Sequence, residues 1–129
     1  MKRPIFRFLP AIGWFLLSFY LLTIPGKELP AITWFDKIYG DKFVHIAMFG
    51  ILVGLFLLPF RKQWSDAALL KKALLVSIVA LVYGIAMEFV QKYFIPNRSF
   101  SIGDILADGV GSFIPFAWLS WRAKRKTAQ

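Results

Sequence analysis

Four apolar runs, at about Ile5–Ile24, Phe43–Phe60, Ala73–Ile95 and Ile102–Trp121, dominate this chain. Each approaches the ~20 apolar residues that a helix needs to cross the hydrocarbon core of a bilayer. In that solvent a backbone must satisfy its own N–H and C=O groups, so the runs are expected as transmembrane helices. The predicted class is therefore all-α, a polytopic membrane protein of four spanning helices forming one domain over 1–129. Pro25-Gly26 stops the first run, and Pro59 falls at the end of the second. The opening Met1-Lys2-Arg3 is signal-like, but no small-x-small cleavage pattern follows Ile24, so the first run reads as a retained helix.

Composition agrees with this class. The chain is 58% hydrophobic, with a mean hydropathy of +0.61, more apolar than a soluble domain of this length usually is. A net charge of +9 raises the question of nucleic acid. The basic residues sit at the ends of apolar runs, however, where membrane-flanking cations belong, and no nucleic-acid partner is expected. With no cysteine, disulfides and thiol chemistry are excluded.

Orientation follows from those cations. Lys2, Arg3, Arg7, Arg61, Lys62, Lys71, Lys72, Arg122, Lys124, Arg125 and Lys126 fall on one side, eleven in all. Lys27, Lys37, Lys42, Lys92 and Arg98, five in all, fall on the other. The excess predicts both termini in the cytoplasm. Trp64, Trp118 and Trp121 would then sit in an inner aromatic belt. Between the first two spans, KELPAITWFDKIYGDK reads as a short helix lying in the outer interface. There Thr33 and Asp36 stand in capping-box spacing, Gly40 is placed to end that helix, and Asp41 to cap the next.

In this topology the awkward polar residues share one depth. Asp41, Lys42 and His45 open the second span. Glu88 and Gln91 close the third, Arg98 occupies the turn, and Asp104 and Asp108 open the fourth. A carboxylate inside a spanning segment costs on the order of 2.5–3.5 kcal/mol on insertion scales, so these groups need one another, water or a ligand. Ser77, Ala80, Gly84, Glu88 and Gln91 share one face of the third span. Small residues suggest where helices touch: Gly50 and Gly54 in the second span, Ala80 and Gly84 in the third, and Gly103, Ala107 and Gly111 in the fourth. His45 lies roughly 180° from Gly54 at ~100° per residue, which predicts contacts on two sides of that helix.

Three pieces, DK-x-x-H (Asp41, Lys42, His45), G-x-x-x-E-x-x-Q (Gly84, Glu88, Gln91) and R-x-x-S-x-x-D-x-x-x-D-x-x-G (Arg98, Ser101, Asp104, Asp108, Gly111), resemble the VanZ-like family. The resemblance covers about Asp41 to Gly111. It implies a small multi-pass protein of a bacterial plasma membrane, in a family named for a protein associated with teicoplanin resistance. The chain departs from the family pattern in having Asp108 where Asn is usual and Pro115 where Gly is usual.

Duller roles are open to several of these residues. Asp41 and Asp104 suit helix caps, Lys42 suits a snorkelling cation, Gln91 an interhelical hydrogen bond, and Glu88 an ion pair to Arg98. Three functions compete. In the favoured one, Asp41, Lys42, His45, Glu88, Gln91, Arg98, Asp104 and Asp108 form an outer-leaflet site. Its cations meet the head group of an anionic lipid or cell-envelope precursor. In the second, His45, Glu88, Asp104 and Asp108 hold a divalent cation in a membrane hydrolase or transferase. In the third, the cluster is a clasp holding helices together, with a protein partner or an oligomer in view. No nucleophile, base and orienting group are legible together, so catalysis is the weaker reading and no cofactor is expected.

Overall fold

The computed structural model describes residues 4–63 and 67–128. Lys2, Arg3 and Trp64 lie outside the described residues, as does the Arg61 side chain. Five α-helices follow in order: α1 (Leu9–Leu22), α2 (Thr33–Lys37), α3 (Gly40–Leu57), α4 (Ala67–Phe94) and α5 (Ile102–Thr127). No strand occurs among the described residues. Four segments are long and apolar enough to span a membrane: Pro4–Leu22, Gly40–Phe60, Ala67–Phe94 and Ile102–Thr127. The protein is a multi-pass, all-α membrane protein.

Helix ends differ from expectation for local reasons. The first span opens as a 3-10 turn, Pro4–Phe8, and becomes α-helical at Leu9 with Pro10 in its first turn. Proline costs nothing there because that N–H has no intrahelical partner. The α-helical part stops at Leu22, where the Thr23 hydroxyl donates to the carbonyls of Phe19 and Tyr20 at 3.0 and 2.9 Å. α3 gives way to a 3-10 turn at Leu58, one residue before Pro59, because the proline has no N–H with which to continue the helical hydrogen bonds. α4 starts at Ala67, earlier than the apolar pattern suggested, since Lys71 and Lys72 are good helix formers. α5 runs on to Thr127, through Pro115 and past Trp121. There Arg122 and Arg125 lie over the Trp118 and Trp121 rings, 4.9 and 4.8 Å from their centroids.

The short connection corrects three expectations. Thr33 does not cap α2: the N-cap is Ile32, with no side-chain cap bond. Gly40 does not end that helix but begins α3, and Tyr39 takes the left-handed conformation, φ 55°. Glycine is needed at 40 because the Phe35 ring occupies the space of a Cβ. Asp41 lies in the first turn of α3 and makes no cap.

α5 is the central helix, packed along both α3 and α4. Gly111 makes this approach possible, since a Cβ there would strike the Ile46 carbonyl of α3. Across the same seam, a Cβ on Gly50 would lie 3.3 Å from the Gly111 oxygen. On the other side, a Cβ on Gly84 would come within 2.6 Å of the Asp108 carboxylate. Gly54, expected as a packing residue, has open space instead, with nothing within 4 Å of a Cβ. α3 is still contacted on two sides. Besides α5 it meets α4 and α1, and the Trp14 indole N–H of α1 donates to the Met48 carbonyl at 2.9 Å. Phe49, Val53, Leu57, Leu69 and Ala73 form the dry centre of the bundle.

Candidate functional site

The face predicted for the third span is the buried face of α4: Ser77, Ala80, Gly84, Glu88 and Gln91 are all enclosed. Its polar end meets the polar starts of α3 and α5. His45, Glu88, Gln91 and Asp108 are only 8, 1, 2 and 1% exposed, so any charge there depends on protein partners rather than water.

Those partners are present. His45 Nδ1 lies 2.7 Å from Asp108 Oδ1. The carboxylate accepts, which assigns the ring proton to Nδ1. The other ring nitrogen, Nε2, lies 3.8 Å from Asp104 Oδ2. The Lys42 ammonium is held between Asp41 and Asp104, each at 2.5 Å, with the Ser101 hydroxyl at 3.5 Å. The Gln91 amide reaches across to donate to the Leu22 carbonyl at 2.8 Å, tying the end of α4 to the last turn of α1.

Ser101 is the junction the sequence reading undervalued. Its hydroxyl accepts from the Asp104 N–H at 3.2 Å, capping α5. In a complete capping box the third-position side chain would reach back to the cap residue's own N–H. Here Glu88 of α4 accepts that N–H at 2.8 Å. The substitution leaves the Asp104 carboxylate for Lys42. The Ser-x-x-Asp spacing was visible beforehand, whereas the carboxylate supplied by another helix was not.

The expected ion pair between Glu88 and Arg98 is not formed among the described residues. Arg98 turns instead toward a pocket of about 410 Å3 lined by Leu21, Leu22, Asp36, Asp41, His45 and Met48, among others. Its Nε is buried and has no hydrogen-bond partner. The pocket lies where the 23–39 connection meets the 95–101 turn, joined by a bond from the Gly26 N–H to the Pro96 carbonyl at 3.0 Å. Asp36, on α2, was not foreseen as part of the site.

The predicted residues thus divide. Asp41, Lys42, His45, Asp104 and Asp108 form one connected network between α3 and α5. Glu88 and Gln91 tie α4 to Ser101 and to α1. Arg98 stands apart from them on the pocket wall, where Asp41 and His45 also reach. As a metal centre the set is poorly arranged, because its ligand atoms are directed at Lys42, His45 and Ser101. Among the described residues no three His, Asp or Glu side chains are grouped to hold an ion.

A four-span membrane protein with a satisfied polar network beneath one end, and a mixed polar and apolar pocket beside it, is the class that fold and geometry define. The VanZ/LLP1 family model matches residues 5–123, and the chain belongs to that family. No curated protein and no solved structure shows a significant match to it.

Proposed function

We propose that this protein binds the phosphate-bearing head group of a membrane amphiphile, a lipid or a cell-envelope precursor, in the pocket beside Arg98. The observation that carries this reading is the Arg98 guanidinium, which forms no ion pair among the described residues and stands on the wall of this mixed polar and apolar pocket. A phosphate would offer this guanidinium strong charge-assisted bonds, and the planar fork suits its geometry. Lys42 has no such need, being held by two carboxylates, and with His45 and Asp108 it serves the scaffold.

The distribution of eleven cations against five supports placing the pocket in the outer leaflet of the plasma membrane, with both termini cytoplasmic. A second reading, the helix clasp, is favoured by how completely Lys42, His45, Glu88 and Asp108 satisfy one another and Ser101. In that case the network holds the helices for a protein partner and the pocket stays empty.

Lipid retention separates the two. Protein extracted from membranes in mild detergent is expected to carry phosphate-bearing amphiphile in native mass spectra, and Arg98→Ala is expected to lose it. Equal retention by both proteins would leave the clasp. A precursor ligand would also link the protein to glycopeptide resistance. Expression would then raise the inhibitory concentration of teicoplanin for the wild type and not for Arg98→Ala.

A further inference from the structure

The charge on the pocket wall specifies more than a phosphate. Arg98 is accompanied there by two carboxylates, Asp36 and Asp41. Asp41 shares its lysine with Asp104, so one ammonium serves two carboxylates. Asp36, on an exposed position of α2, forms no ion pair among the described residues. A purely anionic head group placed against Arg98 would therefore sit beside uncompensated negative charge. Like charges on one pocket wall repel, the more weakly where water reaches them, as it does at Asp36 and Asp41.

We propose that the ligand's head group is zwitterionic, a phosphodiester beside a primary ammonium, as in an ethanolamine phospholipid of the surrounding bilayer. This rests on the phosphate-binding reading above and adds the second charge. The phosphate pairs with Arg98. The ammonium donates its hydrogens to Asp36 and Asp41, which a glycerol or free phosphate head group could not match. Apolar side chains of α1 and α3, among them Leu21, Leu22, Val44 and Met48, line the same pocket and suit the upper part of an acyl chain. The volume of about 410 Å3 is that of a head-group site, small-ligand pockets being about 300–1,000 Å3.

The test uses the full chain in nanodiscs, with phosphatidylethanolamine or phosphatidylglycerol of identical acyl chains added in turn and retention read by native mass spectrometry. The two lipids carry the same phosphodiester and differ in what it bears, a charged ammonium or an uncharged glycerol. Wild type is expected to retain the ethanolamine lipid about fivefold better, a ratio in keeping with one partly exposed ion pair. Asp36→Asn/Asp41→Asn is expected to bring the ratio near one. Asp36→Asn alone, which leaves the Lys42 network intact, is expected to lower it. Equal retention of both lipids by wild type, with both lost in Arg98→Ala, would overturn the zwitterion and leave phosphate binding standing. A preference that survives in Asp36→Asn/Asp41→Asn would also overturn it. Retention that ignores Arg98 would remove both proposals.

Discussion

The Glu88 carboxylate of α4 accepts the backbone N–H of Ser101 at 2.8 Å, completing from a neighbouring helix the cap at the start of α5. What the bond needs is an acceptor at this position, and a negative charge is secondary. Glu88→Gln keeps an amide oxygen in place and is expected to lower the melting temperature in detergent only slightly. Glu88→Ala leaves the partly buried Ser101 N–H unpaired and is expected to cost about 1 kcal/mol. Equal melting points for the two variants would show that the charge, not the acceptor, is what α5 requires.

Because Glu88 is spent on Ser101, it is not expected to couple to Arg98. A double-mutant cycle on Glu88→Ala and Arg98→Ala, read in unfolding free energy, should give a coupling within about 0.5 kcal/mol of zero. A larger value would restore the ion pair that the apolar surroundings of Glu88 first suggested.

Lys42 and Asp104 should behave oppositely. Their side chains are 28 and 17% exposed, so solvent screens the pair only in part. A cycle on Lys42→Met and Asp104→Asn is expected to give about 1 kcal/mol of favourable coupling after allowance for that screening. An absence of coupling would mean that Asp41 alone holds the lysine.

The glycines make a sharper contrast. Gly111→Ala places a methyl against the Ile46 carbonyl, a backbone atom that cannot rotate away. α3 and α5 must separate, and a loss of at least 1–3 kcal/mol, about the usual cost of overpacking, is expected as reduced folded yield and melting temperature. Gly54→Ala meets nothing within 4 Å and should be neutral or slightly stabilising, by up to about 1 kcal/mol from helix propensity. Comparable damage from the two would refute the packing assigned to Gly111.

Orientation can be read without background labelling because the chain has no cysteine. In intact cells, an impermeant thiol reagent is expected to modify Thr33→Cys and to miss Ala128→Cys. The reverse pattern would invert the bilayer and move the pocket to the inner leaflet.

Much of this protein was legible in the one-dimensional chain because a bilayer allows a long apolar segment few choices. Four spans, the shared buried face of Ser77 to Gln91, and the Ser101 cap all follow from local periodicity and hydrogen-bond demand. The convergence of His45, Lys42, Asp104 and Asp108 at one end of the bundle was also foreseeable, since topology alone brings those helix ends together. Which donor meets which acceptor was not. Gly54 has the same spacing signal as Gly50 yet faces open space, and Asp36 looked like a capping residue before it was found on a pocket wall.

Membrane insertion, helix number and the clustering of polar groups were thus decided by the sequence, through the cost of apolar surface in water and of polar groups in lipid. Tertiary packing alone decided that Glu88 serves Ser101, that Lys42 lies between two carboxylates, and that Arg98 is left facing a pocket. Those pairings depend on differences of an ångström or two in how α3, α4 and α5 meet. Such differences are set by glycine contacts between helices far apart in the chain, and no local pattern encodes them.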